Sequence, residues 1–325
     1  MEQIRPIFIF SLPRSGSTLL QRILAAHDRI ETTTEPWLLL PQFYVFRPER
    51  AASEYGHRLC STAIGEFVAG LPDGEASYRR AINSFASQLY REAAGPSARY
   101  FVDKTPIYSL VVSEIMETFP EAKFLFLWRN PLAIVSSLIT TYGRDRFNIV
   151  RFKLELFNGL DNLLQANRSH EGTSFALRFE DLTERPSVVL PRVFEFLELP
   201  YDESVQQEFS RVSLDGVHGD HTGSVRYDKL STEPLDKWKN VLTNKLRKRW
   251  SARYLRWMGE DRLCAMGYEL NELMQDLENV PGSRDHLAAD AYTYAKQTFF
   301  ALLQWQLIRT RYHLRRKGLP LVTYD

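Results

Sequence analysis

The chain has 325 residues and a formal net charge of +1, with 44% hydrophobic and 25% charged residues. These proportions are ordinary for a globular protein and provide no global charge to attract nucleic acid or an acidic membrane surface, so any basic site must be local. The two cysteines, Cys60 and Cys264, have neither metal-ligand spacing nor a disulfide pattern, so we expect buried thiols in a reducing compartment.

The N-terminal apolar run ends at Pro13 and Arg14 after a few residues. It is too short for a signal peptide or a membrane span, and no other segment of the sequence reaches spanning length. We therefore expect a cytoplasmic protein without a membrane span.

Short apolar runs alternate with helical patterns along the chain, which is typical of a parallel α/β sheet. Strands are predicted at residues 7–10, 99–103, 123–128 and 174–179. Helices are predicted at 17–27, between Pro106 and Pro120, after Asn130-Pro131 with Asn130 as N-cap, and at 186–198.

The remaining segments are predicted to surround this sheet within a single domain of residues 1–325, because no linker-like composition separates them. Residues 42–98 and 143–170 look mostly helical, and 42–98 is predicted to be a helical insert. Residues 211–236 form a long polar stretch of the kind that is often functional. A final amphipathic helix is predicted at about 287–317, with a basic, solvated end. It could pack against the domain or pair two copies in a homodimer.

The first strand leads through a short turn into a helix, which is the layout of a phosphate-binding loop. When residues 11–18 are aligned with the ATP-binding pattern G-x-x-x-x-G-K-[ST], Ser11 replaces the first glycine and Ser17 replaces the lysine. The loop therefore predicts a phosphate-like ligand other than ATP, although an ordinary strand–turn–helix junction remains an alternative. The candidate ligand-binding residues are Arg14, Ser15, Gly16, Ser17 and Thr18.

A second candidate anion site follows the strand at 123–128. Arg129 stands at its carboxyl end, where open α/β sheets bind their ligands, and Ser137 lies about two turns into the next helix. An arginine and a hydroxyl so placed suit a second phosphate. A solvated arginine is the alternative.

These two elements together resemble the sulfotransferases that use 3′-phosphoadenosine 5′-phosphosulfate (PAPS). The resemblance implies that the loop 14–18 binds the 5′-phosphosulfate and that Arg129 and Ser137 bind the 3′-phosphate. It is closest to the branch that contains the protein-tyrosine sulfotransferases and many bacterial enzymes. With the alternating elements, it predicts a P-loop-like α/β fold of three layers with a central parallel sheet and helical insertions.

The same branch supplies two candidate catalytic residues. Glu35 follows Arg14 by 21 residues, where the branch carries its catalytic glutamate, and the resemblance implies that Glu35 is the general base. Lys104, in Asp103-Lys104-Thr105-Pro106, resembles the family lysine that would neutralise charge on the transferred group and the leaving oxygen. Competing bases are Glu31, His57 and His221, and the alternative for Lys104 is an exposed lysine opening a loop.

A late segment resembles the part of the family that closes over the nucleotide, namely the loop 222–231 followed by Lys237-Trp238. The candidate nucleotide contacts there are Thr222, Ser224, Arg226 and Lys237. Trp238 could stack on the base or belong to the core. Two departures from the family pattern are Thr141, where the tyrosine-sulfating branch has an arginine, and Phe179, where relatives often have a tyrosine.

The resemblance therefore implies an enzyme that moves a sulfuryl group from PAPS to an acceptor hydroxyl or amine and releases 3′-phosphoadenosine 5′-phosphate (PAP), without a metal. The acceptor is expected to be a small molecule, a glycan or a peptide, and no nucleic acid partner is expected. The alternatives are a P-loop kinase or NTPase, which the missing loop lysine disfavours, and a non-catalytic nucleotide-binding protein that recognises a partner.

Overall fold

The computed structural model describes residues 4–51, 53, 55–170, 172–214 and 230–318. Its centre is a five-stranded sheet in the order β2-β3-β1-β4-β5, and every neighbouring pair is parallel. The strands are β1 (Arg5–Ser11), β2 (Ile30–Thr32), β3 (Tyr100–Asp103), β4 (Lys123–Trp128) and β5 (Ser174–Arg178). Four of them confirm the predicted strands. The edge strand β2 was not predicted, because three residues are too few to show a strand pattern.

Helices connect the strands and cover both faces of the sheet. In chain order they are α1 (Ser17–Ala25), α2 (Leu40–Tyr44), α3 (His57–Ala69), α4 (Glu75–Ala93), α5 (Val112–Thr118), α6 (Pro131–Gly143), α7 (Leu160–Ser169), α8 (Phe179–Glu184), α9 (Pro186–Phe196), α10 (Val205–Glu208), α11 (Glu233–Val241), α12 (Lys245–Ala265), α13 (Leu270–Asn279), α14 (Leu287–Leu302) and α15 (Trp305–Arg316). Shorter turns of 3₁₀-helix occur at Pro106–Leu110, Val150–Phe152 and Phe209–Arg211, and a π-helix occurs at Leu154–Gly159.

The sheet separates two apolar cores because successive side chains of a strand point to opposite faces. In β1, Phe8 and Phe10 pack into one core with residues of α4 to α7 and α12. Ile7 and Ile9 pack into the other core with residues of α1 and α9. This sandwich of helix, sheet and helix confirms the three-layer α/β prediction. It also explains why β1 and β4 read as continuous apolar runs, since both of their faces are buried.

The structure corrects two predictions about helices. The predicted helix at 287–317 consists of α14 and α15, and the chain turns between them at Gln304, whose φ is 48°. Part of the predicted loop at 211–236 is helical, because α11 begins at Glu233. The insert at 42–98 contains most of α2 and all of α3 and α4, as its helical pattern predicted. Across the described ranges, no helix combines the length and the apolar character that a membrane crossing requires.

Candidate active site

The turn between β1 and α1 has the geometry of an anion-binding loop. The amide of Ser15 donates to the carbonyl of Leu12 at 3.2 Å, and Gly16 has a left-handed backbone with φ of 88°. A Cβ atom at Gly16 would lie 2.3 Å from the ring of Phe179, so only glycine fits there. Helix α1 then begins at Ser17, and its first backbone amides point toward the turn.

Two serine hydroxyls at this turn suit an anionic ligand. Ser11 and Ser15 are both 0% exposed, and among the described residues neither hydroxyl has a hydrogen-bond partner. Buried hydroxyls without a partner are rare in folded proteins, because leaving them unsatisfied costs free energy. The oxygen atoms of a phosphate or sulfate group would supply the missing acceptors, so this loop fits the predicted ligand.

The structure brings the two predicted anion sites together. The Nε of Arg14 donates to the Oγ of Ser137 at 3.1 Å, which joins the loop to α6. The Nη1 of Arg129 donates to the carbonyl of Arg14 at 2.8 Å, and its Nη2 donates to the carbonyl of Pro234 at 3.3 Å. Arg129 is 5% exposed, and its guanidinium lies 4.4 Å from the ring centre of Phe179. Two guanidinium groups therefore share the crevice at the carboxyl ends of β1 and β4.

Hydrogen bonds around Asn130 hold the turn that carries Arg129. The side chain of Asn130 accepts from the amide of Leu132 at 2.9 Å, which confirms it as the N-cap of α6. Its own amide donates to Glu180 Oε1 at 3.0 Å, and Glu180 Oε2 accepts from the hydroxyl of Tyr268 at 2.6 Å. Burial and the neighbouring charge of Glu180 raise the pKa of Tyr268, so this hydroxyl remains a donor.

The two candidate catalytic residues also meet. The Nζ of Lys104 donates to Glu35 Oε1 at 2.8 Å and to the hydroxyl of Thr18 at 3.3 Å. The Lys104 side chain is 2% exposed and that of Glu35 is 14% exposed, so this ion pair lies in a region of low dielectric. The ammonium thus connects the predicted base to the last residue of the anion loop.

A buried network beneath Lys104 was not identified from the sequence. Asp103 is fully buried, and its carboxylate accepts from the hydroxyls of Tyr90 at 2.7 Å, Tyr108 at 3.2 Å and Thr105 at 3.0 Å. Burial raises the pKa of Asp103 to about 6, although these hydrogen bonds oppose the shift. The hydroxyl of Tyr108 accepts from the amide of Leu39 at 3.1 Å. The network therefore fixes the segment that carries Glu35 against the end of β3.

Two cavities meet at Arg14, which lines both of them. We call the first the nucleotide-side cavity. It has a volume of about 470 Å³ and is lined by residues that include Arg14, Arg129, Ser137, Thr141, Lys237 and Trp238. We call the second the Glu35 cavity. It has a volume of about 400 Å³ and is lined by residues that include Arg14, Ser17, Thr18, Glu35, Trp37, Tyr142, Arg151 and Glu155.

The nucleotide contacts predicted in the late segment of the chain are exposed, part of the core, or outside the described residues. Lys237 lines the nucleotide-side cavity, but it is exposed and its Nζ lies 2.8 Å from Glu233 Oε1. Trp238 is 2% exposed and belongs to the core cluster while also lining that cavity. The predicted contacts Thr222, Ser224 and Arg226 lie outside the described residues, as does His221.

The other competing bases lie outside the Glu35 cavity. Glu31 lies in β2, and the ring of His57 is hydrogen-bonded to the carbonyl of Tyr44. Neither lines the Glu35 cavity. Among the residues the structure describes, no three His, Cys, Asp or Glu side chains are grouped so as to hold a metal ion, and metal-free chemistry stays a prediction.

Comparison with known proteins gives the family. The model of the sulfotransferase family matches residues 6–203, a range that contains the anion loop, Glu35, Lys104, Arg129 and Ser137. The chain belongs to the sulfotransferase family. This confirms the resemblance predicted from the sequence motifs.

Individual sulfotransferases show the extent of the similarity. Nodulation protein NoeE of Sinorhizobium fredii is 29% identical over 81% of this chain and 65% of its own length. Protein-tyrosine sulfotransferase A of Caenorhabditis elegans is 27% identical over 61% of this chain and 51% of its own length. The chain thus matches less than two thirds of the length of either relative. The structure of the sulfotransferase domain from the curacin biosynthetic pathway has a TM-score of 0.53 at 23% identity, over 83% of this chain and 99% of that domain.

Proposed function

We propose that this sulfotransferase moves a sulfuryl group from PAPS to an acceptor hydroxyl or amine and releases PAP. The observation that carries the proposal is the contact of Lys104 with both Glu35 and Thr18. It places a cation and a carboxylate together at one end of the anion loop, while Arg14 joins the same loop to a second basic site.

The nucleotide-side cavity is proposed to hold the donor. Arg129 and Ser137 would bind the 3′-phosphate, because a buried guanidinium and a hydroxyl lie there at the carboxyl edge of the sheet. The loop 14–18 would bind the 5′-phosphosulfate through its backbone amides and the hydroxyl of Ser15. Thr222, Ser224, Arg226 and Lys237 remain proposed nucleotide contacts.

Glu35, which lines the Glu35 cavity, and Lys104, which is paired with it, are proposed to carry out the transfer. Glu35 takes the proton from the acceptor as the acceptor atom forms a bond to sulfur. The bond between sulfur and the bridging oxygen of the 5′-phosphate breaks, and its electron pair remains on that oxygen in PAP. Lys104 stabilises the charge that develops on this oxygen, which requires its ammonium to exchange Glu35 for the donor. Positioning and electrostatics then supply most of the rate, and no metal is required.

The acceptor is proposed to be a small molecule, a glycan or a peptide. The Caenorhabditis elegans relative is named for tyrosine, which supports a hydroxyl acceptor without specifying which one.

Family membership favours sulfuryl transfer over the alternative of a P-loop kinase or NTPase. A cytoplasmic location and a homodimer stay predictions.

Turnover of PAPS carrying radiolabelled sulfate tests this function. The purified chain is incubated with phenol, glycoside, tyrosine-peptide and amine acceptors, and we expect labelled product from at least one class. Glu35→Gln should lower that turnover by about 10²- to 10⁴-fold, the usual range for loss of a general base, while calorimetry shows unchanged PAP binding. Glu31→Gln is the matched control and should keep its turnover. Full activity of Glu35→Gln would exclude Glu35 as the base, and Mg²⁺-dependent ATP turnover in place of sulfuryl transfer would support the kinase alternative.

A further inference from the structure

The first part of α14 is firmly anchored to the rest of the molecule. Asp290 is 0% exposed, and its Oδ2 accepts from Arg247 Nε and from Asn244 Nδ2, both at 2.7 Å. Its Oδ1 accepts from the amide of Phe147 at 2.9 Å. Helix α14 also packs against the turn Val150–Phe152, which contributes Arg151 and Phe152 to the wall of the Glu35 cavity.

Beyond this anchor the chain exposes a series of large apolar side chains. We call residues 299–317, the end of α14 together with α15, the C-terminal arm. Leu302 is 80% exposed and Tyr312 is 63% exposed. Among the side chains described in α15, only Leu314 is half-buried, and the others are exposed. The other exposed large apolar residues of the arm are Phe299, Leu303, Trp305 and Ile308.

The exposed residues of α15 are arranged as an amphipathic stripe. Trp305, Ile308 and Tyr312 are spaced by three and four residues, so they lie on one face of the helix. Arg309 and Arg316 border this face on one side, and Arg315 borders it on the other, as the helical repeat dictates. The ring of Trp305 stacks on that of Phe300 at 5.2 Å, which continues the apolar surface into α14.

The charge of this region has a single sign. Residues 291–324 contain no Asp or Glu, although the whole chain has a net charge of only +1. The Lys and Arg residues there are Lys296, Arg309, Arg311, Arg315, Arg316 and Lys317. The sequence alone suggested a solvated helix end, and the structure adds exposed aromatic and aliphatic side chains between the arginines.

We propose that the C-terminal arm binds the surface of an anionic lipid bilayer, with α15 lying in the plane of the headgroups. An apolar stripe of Trp, Ile and Tyr bordered by arginines is the pattern of helices that bind in this way. The apolar side chains enter the boundary between headgroups and acyl chains, and the arginines bind lipid phosphates.

Two other partners fit this surface less well. A nucleic acid backbone would bind the arginines but would leave Leu302, Leu303 and Ile308 exposed to water. A second copy of the chain, pairing this face with itself, would bring together two faces that are both bordered by arginines. An anionic bilayer satisfies both the charges and the apolar stripe.

Sedimentation of the full chain with vesicles tests the proposal. We expect binding to vesicles of phosphatidylcholine mixed with phosphatidylglycerol, little binding to phosphatidylcholine alone, and weaker binding as salt is added. The variant Arg315→Gln/Arg316→Gln/Lys317→Gln should bind about a hundredfold more weakly, because each cation near such a surface contributes roughly fivefold. The variant Trp305→Ser/Ile308→Ser/Tyr312→Ser should also lose binding.

The matched control removes the same charge from another exposed helical surface, through Arg249→Gln/Arg253→Gln/Arg256→Gln in α12. It should bind vesicles nearly as well as the wild type. All variants should keep the wild-type melting temperature and transfer rate to a soluble acceptor, since they lie outside the active site. If a triple variant melts early, the single substitutions Arg316→Gln and Trp305→Ser replace it.

Several results would overturn the proposal. The proposal is wrong if the full chain does not bind the anionic vesicles, or if the α12 control loses as much binding as the variants of the arm. It is also wrong if the chain binds duplex DNA more tightly than vesicles at the same salt concentration. A dimer that dissociates when the apolar stripe is substituted, without vesicle binding, would show that a second copy covers this face.

Discussion

The two cavities that meet at Arg14 differ in the partners of the cationic side chains at their walls. On the nucleotide side, the hydrogen bonds of Arg14 to Ser137 and of Arg129 to two carbonyl groups join the guanidiniums to neutral oxygen atoms. In the Glu35 cavity, the lining carboxylate of Glu35 is paired with the buried ammonium of Lys104, which lies behind the cavity wall. The hydrogen bonds of Arg14 and Arg129 described above are with neutral groups, whereas Lys104 forms a buried ion pair. The ion pair on the nucleotide side, Lys237 with Glu233, is exposed.

This difference indicates how the site divides its work. Guanidinium groups at the carboxyl edge of the sheet can bind an anionic ligand, so substitutions there should act mainly on donor binding. An ion pair must be exchanged before either partner can act on a substrate, so substitutions there should act mainly on turnover. The following predictions test that division.

The largest effect is expected for Lys104→Met. Loss of the group that stabilises the leaving oxygen should lower sulfuryl transfer by about 10²- to 10³-fold, while PAP, which lacks the sulfuryl group, still binds. Initial rates and calorimetry measure the two quantities. Lys123→Met is the control, because Lys123 is also ion-paired, with its Nζ 2.6 Å from Glu198 Oε1, and lies far from both cavities. Equal losses in rate and in PAP binding would remove the distinction between the two sides.

A second effect concerns the free energy of unfolding, which depends on pH through the buried carboxyl group of Asp103. The pKa of Asp103 is about 6 in the folded protein, against an ordinary value of 3.8, so folded Asp103 holds a proton between these values and unfolded Asp103 does not. The free energy of unfolding should therefore fall by up to about 3 kcal/mol as the pH rises from 4 to 6, and this contribution should be constant above that range. Asp103→Asn should lack this dependence.

Urea unfolding of both proteins between pH 4 and pH 7 measures this dependence. Asp181→Asn is the control, since Arg178 and Arg185 hold the pKa of Asp181 down to about 2, and its contribution should be constant from about pH 5 upward. A constant difference between wild type and Asp103→Asn across the range would show that Asp103 does not titrate there.

The smallest effect is expected for Arg129→Ala on the nucleotide side. Binding of PAP should weaken by about 10- to 100-fold, the contribution of a buried charge-assisted hydrogen bond, while binding of adenosine 5′-phosphate changes much less. Lys237→Ala serves for comparison and should weaken PAP binding only a fewfold, because Lys237 is exposed and screened. Equal losses for both nucleotides would reject the role of Arg129 at the 3′-phosphate.

Much of the site could be predicted because parallel strands end at one edge of the sheet. Arg14, Lys104 and Arg129 each follow an apolar strand, so the topology alone brings them together. Helix α6 then brings Ser137 within hydrogen-bond distance of Arg14. The position of Ser137 about two turns into the helix was read from the sequence.

Other features depend on tertiary contacts that leave no local pattern. The hydrogen bond from Leu39 to Tyr108 joins residues 69 positions apart, and no periodicity indicates it. The place of Phe179 beneath Arg129 follows from how β5 leads into α8 beside the anion loop. The turn at Gln304 interrupts an otherwise continuous helical pattern, because the residue adopts a left-handed backbone that its sequence does not favour.

The contact between Gly16 and Phe179 limits how this family member can vary in evolution. A side chain at position 16 would need a smaller residue at 179, and that replacement would also remove the ring that lies 4.4 Å from the Arg129 guanidinium. Positions 16, 129 and 179 are therefore not independent. We expect substitutions at these three positions to be inherited together among related chains, even though they come from three separate segments of the sequence.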